Sequence, residues 1–246
     1  MQILIPLYAI AVVFLAAIVR GYSGFGFSLL AIIALSLLLP PAEIVPTIFI
    51  LEVAASLHLL PGVWRDIHWR AVNWLVAGCV VGTPVGVYAL THVKPAPMTL
   101  ALALFVLISA LLLLRGVAPT RAPGPAATFT TGAVSGLFNG GFGIGGPPVV
   151  LFFFSSPAGA VAGRASLIAY FLVTDLMGLA WQGSSGLLGR TTLWRAIFLL
   201  PPFAAGIWVG NHAFLRSELG NFRRWVLRLL VLLALLTGAR AASQLL

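Results

Sequence analysis

Residues 136–148 place glycine and proline inside an apolar stretch, and this combination limits how the chain can fold. The segment reads Gly-Leu-Phe-Asn-Gly-Gly-Phe-Gly-Ile-Gly-Gly-Pro-Pro, and its flanks are apolar enough to lie in lipid. In a helix interior, glycine costs about 1 kcal/mol and proline about 3 kcal/mol relative to alanine. A backbone broken at membrane depth is tolerated only where protein or a water-filled cavity satisfies its polar groups. The sequence therefore predicts a helix break within the membrane.

The composition indicates a polytopic membrane protein. The chain has 246 residues, of which 61% are hydrophobic and 8% are charged, whereas soluble domains carry about 25% charged residues. The net charge of +9 fits arginines in loops that face anionic lipid headgroups. We therefore expect a lipid bilayer, and no nucleic acid, as a partner. Cys79 is the one cysteine and lies in an apolar segment, and no histidine has a ligand partner at useful spacing. No metal and no cofactor are expected.

Breaks in the hydrophobic pattern divide the chain into two sets of segments. Residues 3–39 would make a helix of about 55 Å against a hydrocarbon core of about 30 Å, so they must form two pieces around a weaker glycine cluster. We predict an all-α polytopic membrane protein with two homologous repeats, residues 1–115 and 126–246, joined by a linker at 116–125. Each repeat has about four hydrophobic segments and opens with a glycine-broken or re-entrant helix pair. The other segments are predicted at 44–60, 71–90, 98–114, 126–154, 165–181, 192–214 and 225–236.

Matching residues support the repeat. Gly24-Phe-Gly-Phe27 matches Gly141-Phe-Gly-Ile144, and Trp69-Arg70-Ala71 matches Trp194-Arg195-Ala196. If each glycine element crosses the membrane, the repeats are parallel, and if it dips in and returns, they are inverted. Basic loop residues are divided more unevenly between the two sides in the inverted arrangement, so the positive-inside rule favours it.

Three motifs together resemble one family of transporters. They are Gly-Tyr-Ser-Gly-Phe-Gly-Phe at 21–27, Gly-Gly-Phe-Gly-Ile-Gly-Gly-Pro-Pro at 140–148 and Trp-Arg-Asp-Ile-His-Trp-Arg at 64–70. With the two-repeat layout, they are similar to the TauE/SafE sulfite exporter family, also called the toluene sulfonate uptake permease family, over nearly the whole chain. The first motif lacks the family's more usual Gly-Ile-Gly-Gly-Gly run. The resemblance implies a multi-pass transporter of the bacterial inner membrane, and not an enzyme, that moves a small sulfur-containing anion such as sulfite or an organosulfonate.

The glycine breaks are also the candidate anion site on physical grounds. A helix N-terminus presents free N–H groups and attracts anions, and Pro147 or Pro148 suits the first helical position after the break. The N–H groups of residues 143–146 would then face the substrate. Ser23, Ser28 and Asn139 would add side-chain hydrogen bonds. Arg20 either offers a guanidinium fork that suits an oxyanion or snorkels to the interface from a helix end. The predicted substrate-binding residues are Arg20, Ser23, Gly24, Gly26, Asn139, Gly140, Gly141, Gly143, Gly145, Gly146 and Pro147.

Two acids and one further arginine within the apolar segments need an explanation. Glu52 and Asp175 occupy corresponding places in the two halves, and ionisable residues at lipid depth are functional candidates by default. We interpret them as groups for proton coupling, or as hydrogen-bonded acids that join helices. Arg164 begins a segment and is interpreted as an arginine that snorkels to the interface.

Other glycines are interpreted structurally. Gly78, Gly82 and Gly86, with Gly206 and Gly210, have the spacing of close helix contacts.

Two other functions remain open from the sequence. A passive anion channel would use the same residues as a carrier. An intramembrane serine protease is suggested by Gly183-Ser-Ser-Gly186 and His212, although the serine must face the imidazole for such chemistry. The oligomeric state is open, and a homo-oligomer is one option.

Overall fold

The protein is described by a computed structural model that covers residues 4–115, 124–154, 159–216 and 222–243. These residues form ten α-helices and no β-strand. The helices are α1 (Leu4–Ser23), α2 (Phe27–Leu35), α3 (Pro41–Leu59), α4 (Trp69–His92), α5 (Pro95–Leu114), α6 (Pro125–Phe142), α7 (Gly146–Phe154), α8 (Gly159–Ser184), α9 (Arg190–Arg216) and α10 (Phe222–Ser243). Within the described ranges, α1, α3, α4, α5, α8 and α9 are long and apolar enough to cross a membrane. The chain is therefore an all-α, multi-pass membrane protein.

Prolines and glycines set the helix boundaries. Pro41, Pro95 and Pro125 each begin a helix, where the missing N–H is not needed and the fixed φ suits the first turn. Gly24 and Gly143 directly follow α1 and α6, and both have a positive φ, 76° and 67°. Glycine adopts this left-handed conformation without the penalty that a Cβ would bring, so each helix ends sharply there.

Glycines also set the two closest helix pairs, which are α4 with α6 and α1 with α9. A Cβ added to Gly82 of α4 would lie 2.7 Å from the Leu137 backbone nitrogen of α6. One added to Gly210 of α9 would lie 2.9 Å from the Tyr22 nitrogen of α1. Small residues allow such close backbone approach in membranes. This confirms the interpretation of five glycines as close helix contacts, because a Cβ at each would meet the backbone of the neighbouring helix. They are Gly78, Gly82, Gly86, Gly206 and Gly210.

The first glycine break turns the chain back on itself. The Tyr8 hydroxyl, near the start of α1, donates a hydrogen bond of 2.9 Å to the Ala34 carbonyl, near the end of α2. The two helices therefore form a V that opens toward one end of the bundle. We call this the Glu43 end, because Glu43 at the start of α3 forms an ion pair there with Arg195 at the start of α9.

The second break forms a V that opens toward the other end of the bundle. We call this the His68 end, because the His68 amide donates to the Ser166 hydroxyl there, at 2.9 Å. α6 starts near this end, because it runs parallel to α4, which begins at Trp69. α7 returns toward the same end, where Phe153 contacts Gly163 near the start of α8. The two V-shaped pairs thus point in opposite directions.

Most expected segments correspond to helices, with different limits. The segment expected at 165–181 is α8, which starts earlier at Gly159 and runs to Ser184. The segment expected at 225–236 is α10, which is longer at both ends. Segment 126–154 is divided into α6 and α7 as the glycines predict. Most of the linker expected at 116–125, and part of the loop at 215–224, lie outside the described residues.

The glycine contacts lead to a stability prediction. Gly82→Ala should lower the unfolding free energy by about 1–3 kcal/mol, because the new methyl group must push α4 away from the α6 backbone. The control is Gly163→Ala in α8, where an added Cβ makes only an ordinary contact of 3.7 Å with Phe153. Thermal unfolding in detergent would compare the two, and an equal Tm for both variants would contradict the packing argument.

Candidate functional site

A buried ion pair lies beside the first break. Arg20, in the last turn of α1, places Nε 2.8 Å from Glu52 Oε2 of α3, and the two side chains are 0% and 4% exposed. The same guanidinium donates to the Gly24 carbonyl oxygen and, at 2.8 Å, to the Ser56 hydroxyl. It also lies over the Phe171 ring, 5.0 Å from its centroid. Because a lone charge is very costly inside a protein, each member of the pair makes the burial of the other tolerable.

Glu52 also holds the start of α2. Its Oε1 accepts a hydrogen bond of 2.5 Å from the Ser28 hydroxyl and lies 3.3 Å from the Ser28 amide nitrogen. The amide belongs to the first turn of α2, where N–H groups have no partner within the helix. One carboxylate therefore neutralises Arg20 and satisfies the helix that follows the break.

The second break has a related arrangement with a weaker donor. Asn139 occupies the position four residues before Gly143, as Arg20 does before Gly24. Its side-chain nitrogen is 3.4 Å from Asp175 Oδ1 of α8 and 3.4 Å from the Thr174 carbonyl. Asp175 Oδ2 is buried and has no hydrogen-bond partner among the described residues. The carboxyl group of Asp175 therefore has fewer polar partners than that of Glu52.

The amides of the second break are largely occupied within the protein. The Gly143 amide donates to the Asn139 carbonyl at 2.7 Å, and the Ile144 amide is 3.4 Å from the Phe138 carbonyl. The Gly145 amide donates to Asn139 Oδ1 at 3.2 Å. The prediction that residues 143–146 present free N–H groups to a substrate is therefore wrong for three of the four. The end of α6 and the Asn139 side chain take those donors, as buried backbone groups require.

Both breaks pack against buried residues of other helices, and charged groups link the two. Gly143 packs against both α2 and α3, because an added Cβ would lie 2.9 Å from Ile32 and 3.1 Å from Val45. Gly24 packs against α8 through Arg164 and Ile168. Asp175 lies within electrostatic range of both Glu52 and Arg20. The structure thus gathers Arg20, Gly24, Glu52, Asn139, Gly143, Gly145 and Asp175 into one buried cluster.

Other predicted site residues have local roles in this structure. The Ser23 hydroxyl is 2.7 Å from the carbonyl oxygens of Val19 and Phe25, so it caps the end of α1. Gly140 and Gly141 lie inside α6 and pack against α4. Gly141, which the sequence matched with Gly24, is therefore not at the break, and Gly143 occupies that position. The other three predicted site residues lie next to the breaks. Gly26 immediately precedes α2, and Gly146 and Pro147 begin α7.

Sequence reasoning misjudged or missed several polar residues. Arg164 does not snorkel, because it is 8% exposed and donates to the Gly21 carbonyl and to Asn211. Ser56 was missed as a partner of Arg20, although its spacing of four from Glu52 on α3 puts both on one face. Ser135 and Tyr170 were also missed. The Ser135 hydroxyl donates to the Gly145 carbonyl at 2.6 Å and accepts from Tyr170 at 2.8 Å.

The serine protease arrangement does not form. Ser184 ends α8 and its hydroxyl donates to the Trp181 carbonyl. His212 lies 22 residues beyond the start of α9 at Arg190, which corresponds to about 33 Å along the helix axis. The serine and the imidazole are thus near opposite ends of the bundle, and the required contact between them is absent.

Comparison with known proteins gives one consistent family. Residues 9–237, which include both breaks and all of the buried cluster, match the family described as "Sulfite exporter TauE/SafE". A protein of Cupriavidus necator named "Probable sulfite/organosulfonate exporter TauE" is 30% identical over 195 residues, which cover 74% of this chain and 75% of that protein. No solved structure matches the chain. The chain belongs to the TauE/SafE sulfite exporter family and is a membrane transport protein.

Proposed function

We propose that the protein carries a small sulfur oxyanion or organosulfonate, such as sulfite, through the buried cluster between the two glycine breaks. The observation that carries the proposal is the Arg20–Glu52 pair, a fully buried guanidinium beside a break in a membrane protein of this family. Intramembrane ionisable groups mark substrate and ion pathways. The name of the Cupriavidus necator relative supports the class of anion.

The charges of the cluster support a coupling of anion transport to protons. Arg20 is already neutralised by Glu52, and Asp175 lies nearby, so an anion that reaches Arg20 meets two carboxyl groups beside a guanidinium that is already paired. Protonation of Glu52 removes one negative charge and frees Nε of Arg20 for an anion oxygen. One proton would then accompany each anion. Among the described residues, the charged groups that face Glu52 are Arg20 of α1 and Asp175 of α8, while α2 presents the neutral Ser28.

We further propose that the two halves are inverted repeats that move against each other around this cluster. Support comes from the opposite directions of the two V-shaped pairs. It comes also from the lengths of α2 and α7, nine residues each or about 14 Å, which is too short to cross the hydrocarbon core. The contact of α4 with α6 has its counterpart in that of α9 with α1. Inverted halves with broken helices at the midplane are a recurring design of carriers.

A reconstituted system tests the carrier against a passive channel. In proteoliposomes, we expect sulfite flux to saturate with concentration and to be driven by a pH gradient without a membrane potential. The same flux should be inhibited by a competing organosulfonate. Flux that never saturates and follows only the membrane potential would establish the channel instead.

The role of Glu52 predicts a particular pH dependence. Anion binding should strengthen as pH falls, because the protonated carboxyl no longer competes for Arg20, and uptake of one proton gives a limiting slope of about tenfold per pH unit. Methanesulfonate suits the measurement because it stays anionic throughout. Glu52→Gln should bind with little pH dependence, whereas the control Glu43→Gln, at an exposed ion pair, should keep the wild-type slope. A wild-type slope in Glu52→Gln would remove Glu52 from the coupling.

A double variant separates stability from binding. Arg20→Gln should lower the unfolding free energy by about 3–5 kcal/mol, because Glu52 is left as an unpaired buried charge. Adding Glu52→Gln should restore most of that stability, since both groups are then neutral. The double variant should nevertheless bind no anion, measured by ligand-dependent thermal shift. If the stable double variant transports sulfite like the wild type, the pair is structural only.

A further inference from the structure

Arg164 is a second buried arginine at the first break, and it lies near the His68 end of the bundle. Its Nη2 donates to the Gly21 carbonyl at 2.8 Å and to Asn211 Oδ1 at 3.0 Å. The guanidinium carbon lies 4.2 Å from the centroid of the Phe214 ring. α8 supplies the arginine, α1 the carbonyl and α9 the amide and the ring, so three helices from both halves converge on one cation.

This cation has no counter-ion among the described residues. The partners of Arg164 are a carbonyl, an amide and an aromatic face, all neutral, and its Nε is buried without a hydrogen-bond partner. Within the described ranges, Arg20 is a charged group that acts on Arg164, and it repels it. A buried charge without a partner of opposite sign is costly. The described partners of the Arg164 guanidinium are therefore all neutral, and they leave Nε without an acceptor.

We propose that Arg164 forms an anion-binding subsite that takes a small oxyanion, with Nε and the fork as donors. The subsite rests on the transport function proposed above and adds a second position for the same anion. An oxyanion of sulfur supplies both the missing negative charge and the acceptor oxygens, in a geometry that a guanidinium matches well.

The position of Arg164 relative to Arg20 suggests an order of occupation. Both arginines donate to the same turn of chain, Arg164 to Gly21 and Arg20 to Gly24. The Arg164 side chain lies directly against the break, because a Cβ on Gly24 would be 2.8 Å from its Cγ. Arg164 has no acidic partner in the described part of the chain, whereas Arg20 is paired with Glu52. An anion from the His68 end therefore meets Arg164 first and passes to Arg20 when Glu52 takes up a proton.

The test measures anion affinity rather than stability. Purified protein would be titrated with sulfite and methanesulfonate, and affinities would be taken from the ligand-dependent shift in Tm. Arg164→Gln keeps donors for Gly21 and Asn211 but removes the charge, and we expect dissociation constants at least about 30-fold higher. Arg65→Gln, at an exposed loop arginine, is the matched control and should bind like the wild type.

A second variant covers the case in which Arg164→Gln does not fold. Arg164→Lys keeps the charge but loses the fork, and it should bind about tenfold more weakly than the wild type. Wild-type affinity in either folded variant overturns the subsite and leaves the transport proposal intact. If the wild-type protein is stabilised by neither anion at any concentration tested, the transport proposal and the subsite both fall.

Discussion

The structure depends on one constraint, which is that a helix broken inside lipid must have its exposed backbone groups satisfied by protein. Both breaks meet it with a polar side chain one turn before the left-handed glycine. At the first, Arg20 donates to the Gly24 carbonyl while Glu52 accepts from Ser28 at the start of α2. At the second, Asn139 accepts from the Gly145 amide. The polar groups needed to hold the breaks are therefore the same ones that form the candidate site.

The difference between the two breaks has a chemical meaning. The first uses a full ion pair, and the second uses an amide and a carboxyl group with one oxygen that has no partner among the described residues. The cluster thus combines a carboxylate paired with a cation and a carboxyl group that is less completely hydrogen-bonded. When Glu52 takes up a proton as proposed, the first break loses its ion pair, whereas Asn139 at the second break keeps its hydrogen bond from the Gly145 amide.

Sequence reasoning predicted the helical class and the location of both breaks, because glycine and proline have strong local signatures. It did not predict the pairing of Arg20 with Glu52, which joins residues 32 positions apart through the fold. It matched Gly24 with Gly141 because the letters agree there, whereas backbone φ identifies Gly143. It treated Arg164 as interfacial because sequence alone does not give the depth at which α8 begins.

The glycine-mediated helix pairs have a consequence for how the protein is made. α1 packs against α9, and α4 packs against α6, so both contacts join a helix before residue 116 to a helix after residue 123. During synthesis, α1 leaves the ribosome long before α9 is made. Until then, the surface of α1 around Gly21 that later contacts α9 is not covered by that helix. Helices that are far apart in the sequence are thus interlocked, and the α1–α9 contact forms only after most of the chain has been synthesised.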